Sequence, residues 1–302
     1  MPARSRPTYG GQAVIEGVMI RGQHSTSVAV RRPDGTIALR TETVHPFFTG
    51  ILRKIPFIRG IITLAESLII GMKSLVFSAN VGMENEEQEI SRREMASVLT
   101  LSFVLAICLF FIIPVVASRP LEGLAGSDVV SNIAEGVIRL VIFILYIILI
   151  GNMEQIGKVF MYHGAEHMTV HAHEHGDPLD KDNVRRYPTA HPRCGTAFLL
   201  TVMLVAIVIF TFVPRDPLWW LILSRIILIP IIAAISYEII RFSGAHQANF
   251  LTKLVTYPGL LLQSLTTRKP DDSQIEVAIQ AMTTAVSADL GTQPAMQEER
   301  GA

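Results

Sequence analysis

Six of the nine histidines fall within 29 residues: His163, His167, His171, His173, His175 and His191. In a helix, a step of four residues turns the chain about 40° beyond one full turn. His163, His167 and His171 then share a face, and Glu174 returns to it. Two imidazoles at this spacing can hold one divalent metal. Glu166 directly precedes the second histidine, which gives the order H-x-x-E-H, in which two histidines bind zinc and the glutamate is the general base. His191 and Cys194, in His191-Pro192-Arg193-Cys194-Gly195, add another imidazole and a thiol at the start of an apolar helix. A helix N-terminus, Arg193 and a bound cation all favour the thiolate there.

Several chemistries fit this cluster. Histidines can simply line a membrane interface, but six in so short a stretch argue for ligation. A structural metal and a catalytic one differ in an open coordination position, which is a matter of geometry. A Cys–His nucleophile is a further option, with Cys194 attacking and His191 or His163 as base. His173 and His175 point to other faces of such a helix.

The elements that position the cluster are mostly apolar. Of 302 residues, 50% are hydrophobic and only 17% charged, against roughly 25% in soluble domains. That composition excludes a disordered chain, and the balance of 26 basic and 26 acidic residues argues against a nucleic-acid partner. Two cysteines, Cys108 and Cys194, make no disulfide framework. The apolar residues come in blocks near the 20 residues that a bilayer core requires. They predict four transmembrane helices at about 97–117, 134–153, 196–213 and 218–239, with no signal peptide before them.

Basic residues alternate between the connecting segments: 12 in residues 1–95, one in 118–133, five in 154–193, one in the turn before 218 and four in 240–269. The positive-inside rule then sets both termini and the His-rich segment in the cytoplasm. Arg139 and Arg225 fall near the outer helix ends, where snorkelling to headgroups is expected. Glu238 is expected to pair with Arg241. Between Pro56 and Val81, Arg59, Glu66 and Lys73 recur every seven residues. Their shared face predicts an amphipathic helix lying in the inner interface rather than a fifth crossing.

Four units follow: an N-terminal cytoplasmic β segment (1–50), the amphipathic helix and linker (51–95), a four-helix membrane domain with the His-rich linker 154–195 (96–269), and a C-terminal helix and disordered tail (270–302). The β segment holds alternating strands at Ser27–Arg32 and Thr36–Thr41 around the turn Pro33-Asp34-Gly35. Before it, Gly10-Gly11-Gln12-Ala13-Val14-Ile15-Glu16-Gly17-Val18-Met19-Ile20-Arg21-Gly22 reads as one apolar strand among glycine turns. Met83–Glu94 reads as a polar linker or helix start. A capping box at Ser273 and Glu276 opens a helix over 274–286, followed by a tail from 287.

That glycine-rich stretch, Tyr162-His163-Gly164-Ala165-Glu166-His167 and His191-Pro192-Arg193-Cys194-Gly195-Thr196 together resemble the YqhQ-like family of bacterial membrane proteins. The resemblance covers about residues 8–285, with Met168 as a departure. The family carries the label of predicted metal-dependent enzymes, so the resemblance implies a metal site without naming a reaction. The expected centre is a divalent transition metal, zinc by its donors, on His163, His167 and Cys194 or His191, with His171 and Glu174 nearby. Glu166 is the candidate general base, and Glu16 and Arg21 the candidate substrate-positioning groups. The expected protein is a bacterial inner-membrane hydrolase-type enzyme, partnered by the bilayer, by other membrane proteins or by a second copy. The alternative is a non-catalytic scaffold with a structural metal.

Overall fold

The computed structural model describes residues 8–83, 92–125, 127–246 and 249–291. The expected polar run falls largely on 84–91, outside the described residues, as does the tail beyond 291. Two bodies share the chain: a small sheet clasped by helices, and an apolar bundle.

The sheet is a four-stranded antiparallel meander, β1 (Gly10–Val14), β2 (Gly17–Arg21), β3 (Ser25–Arg31) and β4 (Ile37–Thr43). The glycine-rich stretch is therefore two strands, not one. They meet at the two-residue turn Ile15-Glu16, where Glu16 takes a positive φ of 49°. Helix α1 (Ile58–Gly82) covers one face of the sheet. The other face packs on α5 (Glu154–His175) and α10 (Asp272–Asp289), with the single turn α6 (Lys181–Val184) at the rim. Alternation along β2 separates the two cores. Val18 and Ile20 join Ala29, Tyr162, Ala278 and Met282, whereas Met19 joins Val14, Val28 and Val30. Helix α10 starts earlier and ends later than expected. Its capping box is Asp271 with Gln274, because Asp271 Oδ1 accepts from the N–H groups of Ser273 and Gln274 while the Gln274 side chain accepts from the Asp271 N–H.

The apolar body begins with α2 (Arg92–Ile107), a π-turn (Cys108–Ile112) and α3 (Ile113–Ala125), followed by α4 (Asp128–Gly151), α7 (Gly195–Thr211), α8 (Leu218–Ala245) and α9 (Phe250–Thr266). Among the described residues, four helices are long and apolar enough to cross a membrane: Ile58–Gly82, Ala96–Leu121, Asp128–Gly151 and Leu218–Ala245. Helix α7, predicted to cross, is the shorter apolar one at 17 residues, and α1, predicted to lie flat, meets the length and composition. Packing distinguishes α1 from the others. Its C-terminal half, through Ile70, Leu75, Phe77 and Val81, rests on the sheet and therefore stays on the sheet's side. The N-terminal sheet and the C-terminal α10 share one core.

The bundle encloses an ionic network that corrects the snorkelling expectation. Arg139 and Arg225 turn inward, each less than a tenth exposed, onto Glu135, which is 1% exposed. Arg139 Nη2 donates to Glu135 Oε1 at 2.6 Å. Arg225 donates from Nε and Nη2, and Arg215, in the turn before α8, from Nη1 at 2.8 Å. Arg225 also lies over the Phe210 ring, 4.1 Å from its centroid, and bonds Asn132. The π-turn takes part as well, since Arg139 Nε donates to the Phe110 carbonyl at 2.9 Å. A shared carboxylate, one helical turn from Arg139, pairs with these guanidiniums where hydrocarbon cannot. Glu238 likewise accepts from Arg59 of α1 and from the Phe57 N–H, tying α1 to α8.

Candidate metal centre

Helix α5 presents the histidine stripe, and Gly176 at φ 81° ends it in a left-handed cap. His163 and His167, one turn apart, have ring centroids 4.4 Å apart. Each turns its Nδ1 to a main-chain carbonyl: His163 to Thr266 at 2.9 Å, His167 to Thr189 at 2.6 Å. A carbonyl takes an N–H, so Nδ1 carries the hydrogen and Nε2 keeps its lone pair. Metal-ligating histidines are oriented in this way. The His163 Nε2 lies 3.1 Å from the Cys194 Sγ. Cys194 is the N-cap of α7, and its sulfur accepts from the Thr196 N–H at 3.4 Å. The ligand atoms of His163, His167 and Cys194 all lie within 4.8 Å of one another. Two imidazoles and a thiol with fixed donors fit a divalent transition cation.

A second group, His171, Glu174 and His191, meets the same 4.8 Å limit. His171 bonds the Ala190 carbonyl through Nε2 at 2.9 Å, and His191 Nε2 lies 3.4 Å from Glu174 Oε2. Arg193 closes on the other oxygen of Glu174. Burial holds His167 and His191 below the usual imidazole range and pushes His171 down to about 4, which favours the neutral ring in each, and the Arg193 N–H donates to the His191 Nδ1 at 3.3 Å.

Glu166 is 4% exposed, and burial raises its pKa against the opposing pull of His163, His191 and a hydrogen bond from the Gly11 N–H. This contact gives the glycine-rich strand its place at the centre. A Cβ on Gly11 would strike the Met19 carbonyl and come to 3.0 Å from Glu166 Cδ. Gly164 serves similarly, because a Cβ there would strike the Arg268 carbonyl in the link between α9 and α10.

The two proposed positioning residues lie elsewhere on the sheet. Glu16 accepts from the Tyr162 hydroxyl at 3.2 Å and faces Lys158 at 3.7 Å, one turn before the first histidine. Arg21 grips Glu66 of α1 at 2.7 Å, with Arg53 on the other oxygen, and holds the sheet to that helix. Sequence reasoning missed Gln263 of α9, which is fully buried. Its amide accepts from the His191 N–H at 2.7 Å and donates to the His191 carbonyl at 2.9 Å. The available signal was a glutamine directly after the apolar run Leu260-Leu261-Leu262.

A family model described as a protein of unknown function (DUF1385) matches residues 55–288. The chain is similar to the uncharacterized protein YqhQ of Bacillus subtilis (strain 168), 35% identical over 289 residues that cover 91% of each chain. No solved structure matches it.

Proposed function

The chain belongs to the DUF1385 family, and from that premise we propose a membrane-embedded, metal-dependent enzyme of the hydrolase type. Its centre is His163, His167 and Cys194, on the cytoplasmic side of the bacterial inner membrane. The observation that carries this reading is the pair of imidazoles one turn apart, each with Nδ1 on a carbonyl and its other nitrogen left for the group that contains Cys194. A divalent cation there, zinc by donor preference, supplies Lewis-acid polarisation. Glu166 is the proton acceptor: burial lifts its carboxyl toward the range where a general base works, and the Gly11 N–H fixes it. Glu16 and Arg21, expected to position a substrate, are instead paired with Tyr162 and Lys158 and with Glu66.

The test is elemental analysis of detergent-purified protein, wild type against His163→Ala and His167→Ala. Metal lost in both variants supports the centre, and equal metal in all three overturns it. A second reading, a structural metal that staples α5 to α7, is favoured by burial, with His167 at 2% and Cys194 at 7% exposure. Glu166→Gln separates the two. An enzyme keeps its metal and loses its cellular phenotype, whereas a staple keeps both.

A further inference from the structure

We propose that His171, Glu174 and His191 form a second cation site beside the first, built of nitrogen and oxygen donors alone. The inference rests on the reading of the histidine stripe as a metal centre, but it uses none of the three ligands assigned above. Three observations support it.

The first is convergence from separate segments. His171 and Glu174 are three residues apart on α5, and His191 arrives from the loop before α7, yet their ligand atoms gather within 4.8 Å. The second is fixation. His191 is clamped at both its N–H and its carbonyl by the buried Gln263 amide, and His171 is tied to the Ala190 carbonyl. The two bonds fix where the His191 backbone, and so its ring, enters the group. The third is continuity. The His167 and His191 rings lie 5.7 Å apart and the His171 and His191 rings 4.5 Å, so the second group adjoins the first without sharing a ligand.

The donors define the class of cation. Thiolate in the first group selects zinc-like ions, whereas two imidazoles and one carboxylate suit a divalent first-row transition cation such as iron(II), manganese or zinc. Arg193 is the opposing charge, because it pairs with one oxygen of Glu174 and leaves the other toward His191. Its side chain is 36% exposed, so it can swing to water when a cation takes that place.

Cobalt(II) distinguishes the two groups, since only a thiolate-ligated cobalt gives an intense sulfur-to-metal charge-transfer band. Metal-stripped full-length protein in detergent is titrated with cobalt(II), and bound cobalt is counted by elemental analysis. The expected result is two equivalents in the wild type. His171→Asn and Glu174→Gln keep one equivalent and the full band, and Cys194→Ser keeps one equivalent and loses the band. His171 and Glu174 are partly exposed, so their variants retain the fold, and unchanged melting checks this. One equivalent in the wild type, abolished by Cys194→Ser, overturns the second site and leaves the first. Two equivalents that survive both His171→Asn and Glu174→Gln also overturn it. A wild type with no band, whose single equivalent disappears in Glu174→Gln, overturns the first site and leaves the second.

Discussion

Glu135→Gln removes one charge and almost no volume, and tests whether the arginines of the bundle are held inside or reach for headgroups. In the wild type, Glu135 Oε1 accepts from Arg139 at 2.6 Å and Arg225 at 3.3 Å, and Oε2 from Arg215 at 2.8 Å and Arg225 at 3.1 Å. All three guanidiniums are at most 10% exposed in their side chains. The amide keeps the shape but removes the counter-charge, and its NH₂ faces N–H donors. Breaking a buried ion pair from one side costs about 3–5 kcal/mol. At about 2 °C per kcal/mol for a chain of this size, the melting temperature falls by roughly 6–10 °C. Thermal unfolding in detergent, followed by near-ultraviolet circular dichroism, measures the change. Glu42→Gln is the control: its partners Lys73 and Arg40 are exposed, so it costs at most about 1 kcal/mol. If Glu135→Gln melts no more than about 2 °C below the wild type, the arginines do not depend on that carboxylate. The inward network is then refuted.

Gln263→Leu strands the His191 N–H and carbonyl in the interior at about 1–3 kcal/mol each, and should lower the melting temperature together with the affinity of the second cobalt equivalent. Gly11→Ala overpacks the contact between β1 and Glu166 at about 1–3 kcal/mol, seen as a lower melting temperature with metal content unchanged. Arg193→Gln removes the cation beside Glu174 and should tighten the second cobalt equivalent about tenfold, read from the same titration. Asp271→Ala deletes the α10 cap at about 1 kcal/mol, measurable by chemical denaturation.

Periodicity made the stripe on α5 legible, because helical spacing alone sets His163, His167, His171 and Glu174 on one face. It also brought out the β3–β4 hairpin and the long apolar helices. It failed where a residue's meaning depends on a distant partner. Arg139 near the end of an apolar run reads the same whether it snorkels or meets a carboxylate, and Glu135 gained its importance only when Arg215 and Arg225 came to it from far along the chain. Helix α9 was not among the predicted elements, and its Pro258-Gly259 pair disfavours a helix interior. The helix continues through it, and Gly259 provides the closeness to Ala197 of α7 that a side chain would prevent. The Asp271 cap was displaced by two residues because Asp271, Asp272 and Ser273 are all suitable caps and packing chose among them.

The sheet's dependence on α10 sets an order on biosynthesis. Translation delivers β1 to β4 first, yet Val18, Ile20 and Ala29 lack the cover of Ala278, Ala281 and Met282 until α10 leaves the ribosome. By then every apolar helix between them has had to find its place in the bilayer. A chain truncated before residue 272, or one whose two ends are delivered to opposite faces, keeps an apolar sheet bare. Such a surface aggregates or recruits chaperones and proteases. Closure of this small domain therefore waits on α10, which the chain reaches only after all of its long apolar helices.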